Sequence, residues 1–267
     1  MVSFRDFVTA FRELGLDRGR PVIVHASLSA IGEIRGGAEA LLGALLPATG
    51  GIMAPTFTYK TMIIPEVGPP DNAILYGSGK DRNRMAEFFH HDMPADPMMG
   101  IFPEMVRRHP SAQRSNHPIL SFTGIHVEHA LEAQTLEDPL APIRVLTEQE
   151  GQVLLIGVDH TVNTSIHYAE RLAGRKQFVR WALTPQGVRE CPGFPGCSDG
   201  FEQSSSHLAG ITRTVKLGSA TVRLISLIPM IRTLTDLIRK QPEALLCHKS
   251  DERCEAVRRT IRVSQPN

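Results

Sequence analysis

The stretch Val153-Leu154-Leu155-Ile156-Gly157-Val158, followed after a short polar interval by Asn163-Thr164-Ser165-Ile166-His167-Tyr168-Ala169-Glu170, decides how the chain is read. An apolar run interrupted only by Gly157 and closed by Asp159-His160 lacks polar alternation, so it reads as a strand buried on both faces. In open α/β sheets, polar residues just beyond the carboxyl end of such a strand are where sites are built. Thr164 or Ser165 is placed to cap a helix that carries His167 and Glu170 at i and i+3, on one face. A titratable imidazole is therefore expected at a strand end.

Strand and helix signals alternate outward from this point. Phe4, Phe7, Val8, Phe11 and Leu14 have helical spacing and predict a helix over 3–15, closed near Gly15. Residues 21–25 read as a strand, 38–46 as an apolar helix after Gly36-Gly37, and 52–57 as a second strand, which together make a βαβ unit. Residues 60–100 are irregular and rich in Pro, Gly and Asp, the composition of a long functional loop. A helix at 102–108 and a strand at 119–123 follow. After Glu170 come a strand at 178–183, a Gly/Pro/Cys-rich loop at 191–200, a strand near 221–227 and a C-terminal helix. The fold class is α/β, with a mixed central sheet flanked by helices. One domain over 1–267 is expected, and a composition change near residue 185 points to a smaller C-terminal subdomain within it, approximately 185–267.

With 267 residues and 42% hydrophobic content there is enough material for a large core, which excludes disorder as the main state. Lys and Arg number 29 against 28 Asp and Glu, a net charge of +1 that calls for neither nucleic acid nor an anionic membrane. The first residues lack the basic and apolar regions of a signal peptide, and no apolar run approaches a membrane span, so a cytoplasmic protein is expected. Monomer and homodimer stay open.

Cys191, Cys197, Cys247 and Cys254 are too few for a disulfide scaffold. Four thiolates joining two distant loops would suit a structural zinc; scattered buried thiols are the alternative. His90-His91-Asp92 invites a metal reading as well, but adjacent histidines point to different faces.

His25-Ala26-Ser27-Leu28-Ser29-Ala30-Ile31-Gly32, the Gly36-Gly37 pair, the 51–57 segment, Arg114-Ser115-Asn116-His117-Pro118 and the 151–170 segment recur in order and spacing in one family. In these five motifs the chain resembles the aminoglycoside 3-N-acetyltransferases, well over residues 1–180 and more loosely beyond. The resemblance implies transfer of acetyl from acetyl-CoA to the 3-amino group of a 2-deoxystreptamine antibiotic, conferring resistance. It implies His167 as catalytic base, a role that fits the chemistry, because an amine must shed a proton to attack near neutral pH.

A histidine base calls for a carboxylate on its other nitrogen, and Glu137, Asp138, Glu170 and Asp199 stand as candidates. The 136–142 segment corresponds to a loop that carries a family active-site residue. Related sequences often carry acidic residues a little before Asp199, where this chain has Cys191-Pro192-Gly193-Phe194-Pro195-Gly196. For coenzyme A, the resemblance implies Ser27, Leu28 and Ser29 with Arg35, Gly36 and Gly37 at a helix start, whose amides suit a pyrophosphate. Arg114 and Ser115 would add phosphate contacts. The polycationic acceptor is expected in an acidic pocket covered by the 60–100 loop, with Glu66, Asp71, Asp92 and Asp96 available there. An acetyltransferase for a different amine, and a non-catalytic CoA- or zinc-binding protein, are the competing readings.

Overall fold

The fold is described from a computed structural model, over residues 1–248 and 250–264. The chain runs α1 (Phe4–Leu14), β1 (Pro21–Ala26), α2 (Leu28–Ile31), α3 (Gly37–Leu45), β2 (Gly51–Pro55), β3 (Met62–Ile63), α4 (Lys80–Arg84) and α5 (Ile101–Arg107). It continues with β4 (Gln113–Arg114), β5 (Phe122–Ile125), α6 (Glu128–Glu132), α7 (Ala141–Glu148), β6 (Gln152–Ile156), α8 (Ser165–Leu172), β7 (Phe178–Thr184) and β8 (Gly187–Phe194). Last come α9 (Ser205–Leu208), β9 (Thr212–Leu217), β10 (Ala220–Ser226), α10 (Leu227–Lys240) and α11 (Glu252–Ser264).

Among the described residues a seven-stranded sheet has the order β4-β5-β2-β1-β6-β10-β9. Its centre is parallel: β1 lies between β2 and β6, with Ile23 opposite Met53 and Val153. Both flanks are antiparallel, β5 on β2 and β10 on β6. Because side chains alternate across a strand, Val22, Val24, Ile52, Ala54, Leu154 and Ile156 enter one core with α1, α3 and α5. Ile23, Met53, Val153 and Leu155 enter the other with α7, α8 and α10. Burial of β6 on both faces is the reason it reads as an uninterrupted apolar run.

A second, antiparallel sheet, β3-β7-β8, stands beside the first. The described residues beyond 185 serve both: β8 completes the small sheet, while β9, β10 and α10 extend the large sheet and fill its core. The segment expected as a minor subdomain thus shares its packing with the N-terminal half.

Several boundaries differ from the expectation. β2 ends at Pro55, where Thr56 and Thr58 switch their N–H groups to Ser121 and Ile119 carbonyls across an irregular stretch. The strand expected at 119–123 lies at Phe122–Ile125, since the N–H groups of Ile119 and Leu120 are taken by His117 Nδ1 instead. The first residues of the 191–200 loop belong to β8. The 60–100 region is irregular apart from short turns, β3 and α4. Among the described residues no helix is long and apolar enough to cross a membrane.

Candidate active site

The carboxyl ends of β1, β2 and β6 open into a cavity of about 1110 Å³. Its floor is made by Ala26, Ser27, Pro55, Thr164 and His167; its roof comes from Met62, Ala73, Arg82, Met85 and Met99 of the long loop and from Arg180 of β7. Placement of a cleft at strand carboxyl ends follows from the parallel pairing, which points the first turns of the connecting segments to one edge.

His167 sits in the first turn of α8. Thr164 is the cap position but its side chain makes no capping bond; Asn163 Oδ1 instead accepts from the Ser165 N–H at 3.2 Å. One turn on, Glu170 Oε2 meets His167 Nδ1 at 2.7 Å. The other carboxylate oxygen takes a 2.6 Å bond from Arg175 Nη1, and Arg175 Nη2 reaches the carbonyls of Pro242 and Ala244 at 2.7 Å each. Side chains of Glu170 and Arg175 are each 2% exposed, so this ion pair is dry and fully partnered. Burial by itself would raise the Glu170 pKa, but the hydrogen bond and charge of His167 together with the Arg175 charge outweigh it and hold the carboxyl below its usual value. An ionised carboxylate can only accept, so Nδ1 carries the hydrogen, and in the neutral form of the ring Nε2 holds the lone pair. Phe201 packs edge-on against the imidazole, ring centroids 4.7 Å apart, and fixes its plane.

Of the four carboxylates weighed as partners, Glu170 is the one on the imidazole. Glu137 is exposed. Asp138 pairs with Arg171. Asp199 lines the cleft and its N–H donates to Cys197 Sγ at 3.4 Å.

The residues weighed for coenzyme A separate into two groups. Ser27 faces the cavity, and its Oγ lies 3.1 Å from Ser29 Oγ. Leu28 and Ser29 open α2, which follows β1 after Ser27. Arg35 is exposed ahead of α3, where Gly36 (φ 84°) and Gly37 (φ 58°) take consecutive left-handed conformations that other residues adopt only under strain. Arg114, by contrast, is buried and spent: its guanidinium donates to Thr56 O at 2.8 Å, His91 O at 2.9 Å, Met93 O and Ser121 Oγ. Ser115 Oγ accepts from Phe122 N–H at 2.9 Å inside the sheet edge. Arg114 thus ties the long loop to the ends of β2 and β5, while Ser115 ties the segment after β4 to β5, and both side chains are buried in that framework.

The acidic pocket expected for a polycation is mixed in sign. Asp96, Asp199 and Glu252 line it, but so do Lys60, Arg82, Arg180 and Arg253. Lys60 is paired with Glu87 at 2.8 Å, Arg253 donates to Gly196 O at 3.1 Å, and Arg180 donates to Asn72 O and stacks over Phe178 and Phe194. Asp71 is taken by Arg259, while Glu66 and Asp92 are exposed outside the cleft. His90 and His91 are both exposed, and His91 Nδ1 lies 3.3 Å from Asn116 Oδ1.

The cysteines do not meet as four. Cys197, Cys247 and Cys254 gather with their sulfurs within 4.8 Å of one another. Cys191, paired with Arg180 across the small sheet, is buried separately, and burial followed by the Glu190 and Glu137 charges pushes its thiol up to about 12. Two groups in the site escaped the sequence reading. Arg175 lies five residues past Glu170, outside helical register. His25, read as a strand residue and part of a motif but given no role, lies next to the last residue of β1 on the cleft, with burial and then the His160 charge driving its pKa down to about 3.

A sequence model of the family described as Aminoglycoside 3-N-acetyltransferase matches residues 23–239. The SPbeta prophage-derived aminoglycoside N(3')-acetyltransferase-like protein YokD of Bacillus subtilis is 32% identical over 236 residues, covering 81% of this chain and 85% of its own. Its crystal structure superposes with a TM-score of 0.79, covering 90% of this chain and all of YokD at 27% identity. Aminoglycoside N(3)-acetyltransferase VII of Streptomyces paromomycinus is 33% identical over 180 residues, 62% of this chain and 60% of that protein. AAC-IIIb, solved as a binary complex with CoASH, shares the fold with a TM-score of 0.73 at 21% identity, covering 90% and 97% of the two chains.

Proposed function

Since the chain belongs to the aminoglycoside 3-N-acetyltransferase family, whose members are acyltransferases, we propose that it moves acetyl from acetyl-CoA to the 3-amino group of a 2-deoxystreptamine antibiotic, with His167 as general base. The observation that carries this reading is the His167–Glu170–Arg175 chain of contacts, 2.7 and 2.6 Å, ending at the cleft. Such an arrangement turns Nε2 of the imidazole away from Glu170, where the unprotonated nitrogen can take the amine proton, and offsets the imidazolium that forms.

In the proposed step the amine nitrogen attacks the thioester carbonyl. The N–C bond forms as the C–S bond breaks, and the amine proton passes to Nε2. The CoA thiolate leaves and is protonated in turn, returning the imidazole to neutrality. Transfer is direct, with no acetyl-enzyme. Coenzyme A would lie along Ser27, Leu28 and Ser29 with its phosphates toward Arg35, Gly36 and Gly37, and a hydroxyl of Ser27 or Ser29 would donate to the thioester oxyanion. Asp96, Asp199 and Glu252 would meet the ammonium groups of the acceptor. A metal held by the cysteines would be structural and take no part in the transfer.

His167→Ala tests the mechanism. Release of CoA thiol should fall about 100- to 10,000-fold while acetyl-CoA still binds; full turnover by the variant sinks the base assignment. A panel of deoxystreptamine antibiotics against small amines tests the acceptor. No response to any antibiotic defeats the substrate class, and unchanged susceptibility of bacteria expressing the active enzyme defeats the resistance role.

A further inference from the structure

We infer that Cys197, Cys247 and Cys254 form a thiolate site for a soft divalent cation, with zinc the expected occupant, and that the bound cation fastens one wall of the cleft. The three sulfurs come from separate places: the loop after β8, the segment after α10, and the first turn of α11. They nevertheless converge within 4.8 Å of one another, with Cys247 and Cys254 at 3.4 Å. Tetrahedral zinc with bonds of about 2.3 Å sets its sulfurs about 3.8 Å apart, inside that range. A single disulfide would consume two thiols and strand the third, so the trio fits a shared centre better than a covalent pair.

The backbone around the trio favours anionic sulfur. The Asp199 N–H donates to Cys197 Sγ at 3.4 Å, and the Cys247 N–H donates to the Cys254 sulfur. Amide donors turned toward buried thiols lower the cost of deprotonation that metal binding requires. Cys191 stands outside the group and supplies a control within the same chain.

The site adjoins the cleft. Ser198 and Asp199 follow Cys197, Glu252 and Arg253 precede Cys254, and all four line the cavity. Arg253 also reaches across to Gly196 O at 3.1 Å. A cation on the three sulfurs would bind these stretches into one unit with the 247 segment. The effect on the cleft rests on the proposal that the cavity takes the acceptor; the metal site does not.

The full-length protein, purified without chelator, should carry about one zinc per chain by elemental analysis. Cobalt substitution should give sulfur-to-cobalt charge-transfer absorption. Cys191→Ser should keep both signals, whereas Cys197→Ser and Cys254→Ser should lose them. If those two variants fail to fold, stripping the wild-type protein with chelator and restoring zinc provides the same comparison. Metal removal should lower the melting temperature, and raise the KM for the amine severalfold with the KM for acetyl-CoA unchanged. A metal-free protein without cobalt charge transfer, a disulfide found by mass spectrometry, or loss of metal in Cys191→Ser overturns the site. Metal-dependent stability with an unchanged amine KM overturns the role at the cleft. Absence of activity on every aminoglycoside would count against the substrate proposal alone, since zinc content and cobalt absorption are read without turnover.

Discussion

Glu170 holds two partners at once, and a neutral substitute separates what each contributes. Glu170→Gln preserves size but removes the charge that balances Arg175, leaving a dry guanidinium with only carbonyls around it. Unfolding in urea should show a loss of about 2–5 kcal/mol. The amide would also fail to favour the imidazolium, so kcat should fall about 10- to 100-fold. A variant as stable and active as the parent would mean that the pair is decorative. Arg114 gives a second test at this scale. Because its guanidinium is committed to the carbonyls of residues 56, 91 and 93, Arg114→Lys should raise the amine KM by loosening the loop, and leave the acetyl-CoA KM unchanged. The opposite pattern in steady-state kinetics would return Arg114 to the phosphate role first expected from its motif. The His167–Glu170 contact was legible because i and i+3 meet on any helix. The destinations of Arg114 and Arg175 were not, since both bind carbonyls from segments that only the tertiary fold brings near.

Elements divide in the same way. β1, β2, β6 and β7 announce themselves as apolar runs, whereas α6 and α7, short and flanked by loop-like residues, carry too little periodicity to be read. The roof of the cleft was legible as a long loop, but its anchors were not. Asn72 pairs with the β7 backbone in both directions, Val179 N–H to Oδ1 at 2.9 Å and Nδ2 to Val179 O at 3.0 Å, imitating a strand neighbour. Asn72→Ala should cost about 1–3 kcal/mol, raise hydrogen exchange across residues 60–86 and weaken amine binding. Unaltered exchange there would mean that the roof is held elsewhere. Gly157 is the corresponding weak point of the floor. It leaves β6 at φ 64°, and a Cβ there would meet Ala30 Cβ at 2.6 Å and Ser27 O at 3.1 Å. Gly157→Ala should push α2 away from the cleft and raise the KM for acetyl-CoA, with a lower melting temperature as the companion readout.

For the molecule as a whole, buried histidines contribute to the response to acid. His117 accepts from two backbone N–H groups through Nδ1, and burial, only partly opposed by its backbone hydrogen bond, brings its pKa from 6.5 down to about 4. Below pH 6.5 the unfolded chain takes up a proton that the folded chain refuses, so stability declines as pH falls from 6.5 toward 4. The full difference is on the order of 3 kcal/mol. His117→Asn keeps an acceptor without the titration, and its melting temperature should fall less steeply over that range; parallel curves would exclude His117 as the source. His25 acts in the same direction, toward about 3.

The parallel centre of the large sheet has a further consequence, for how the protein comes into being. β1 is flanked by β2, close behind it in sequence, and by β6, which enters the chain more than 120 residues later. Pairings so distant are entropically expensive to close and slow folding. During synthesis one edge of β1 must wait bare until β6 emerges, and β6 in turn waits for β10. His167, beyond β6, and Ser27, just past β1, therefore come to line one cleft only when that late closure occurs, so catalytic competence should appear in the slowest refolding phase and not before it.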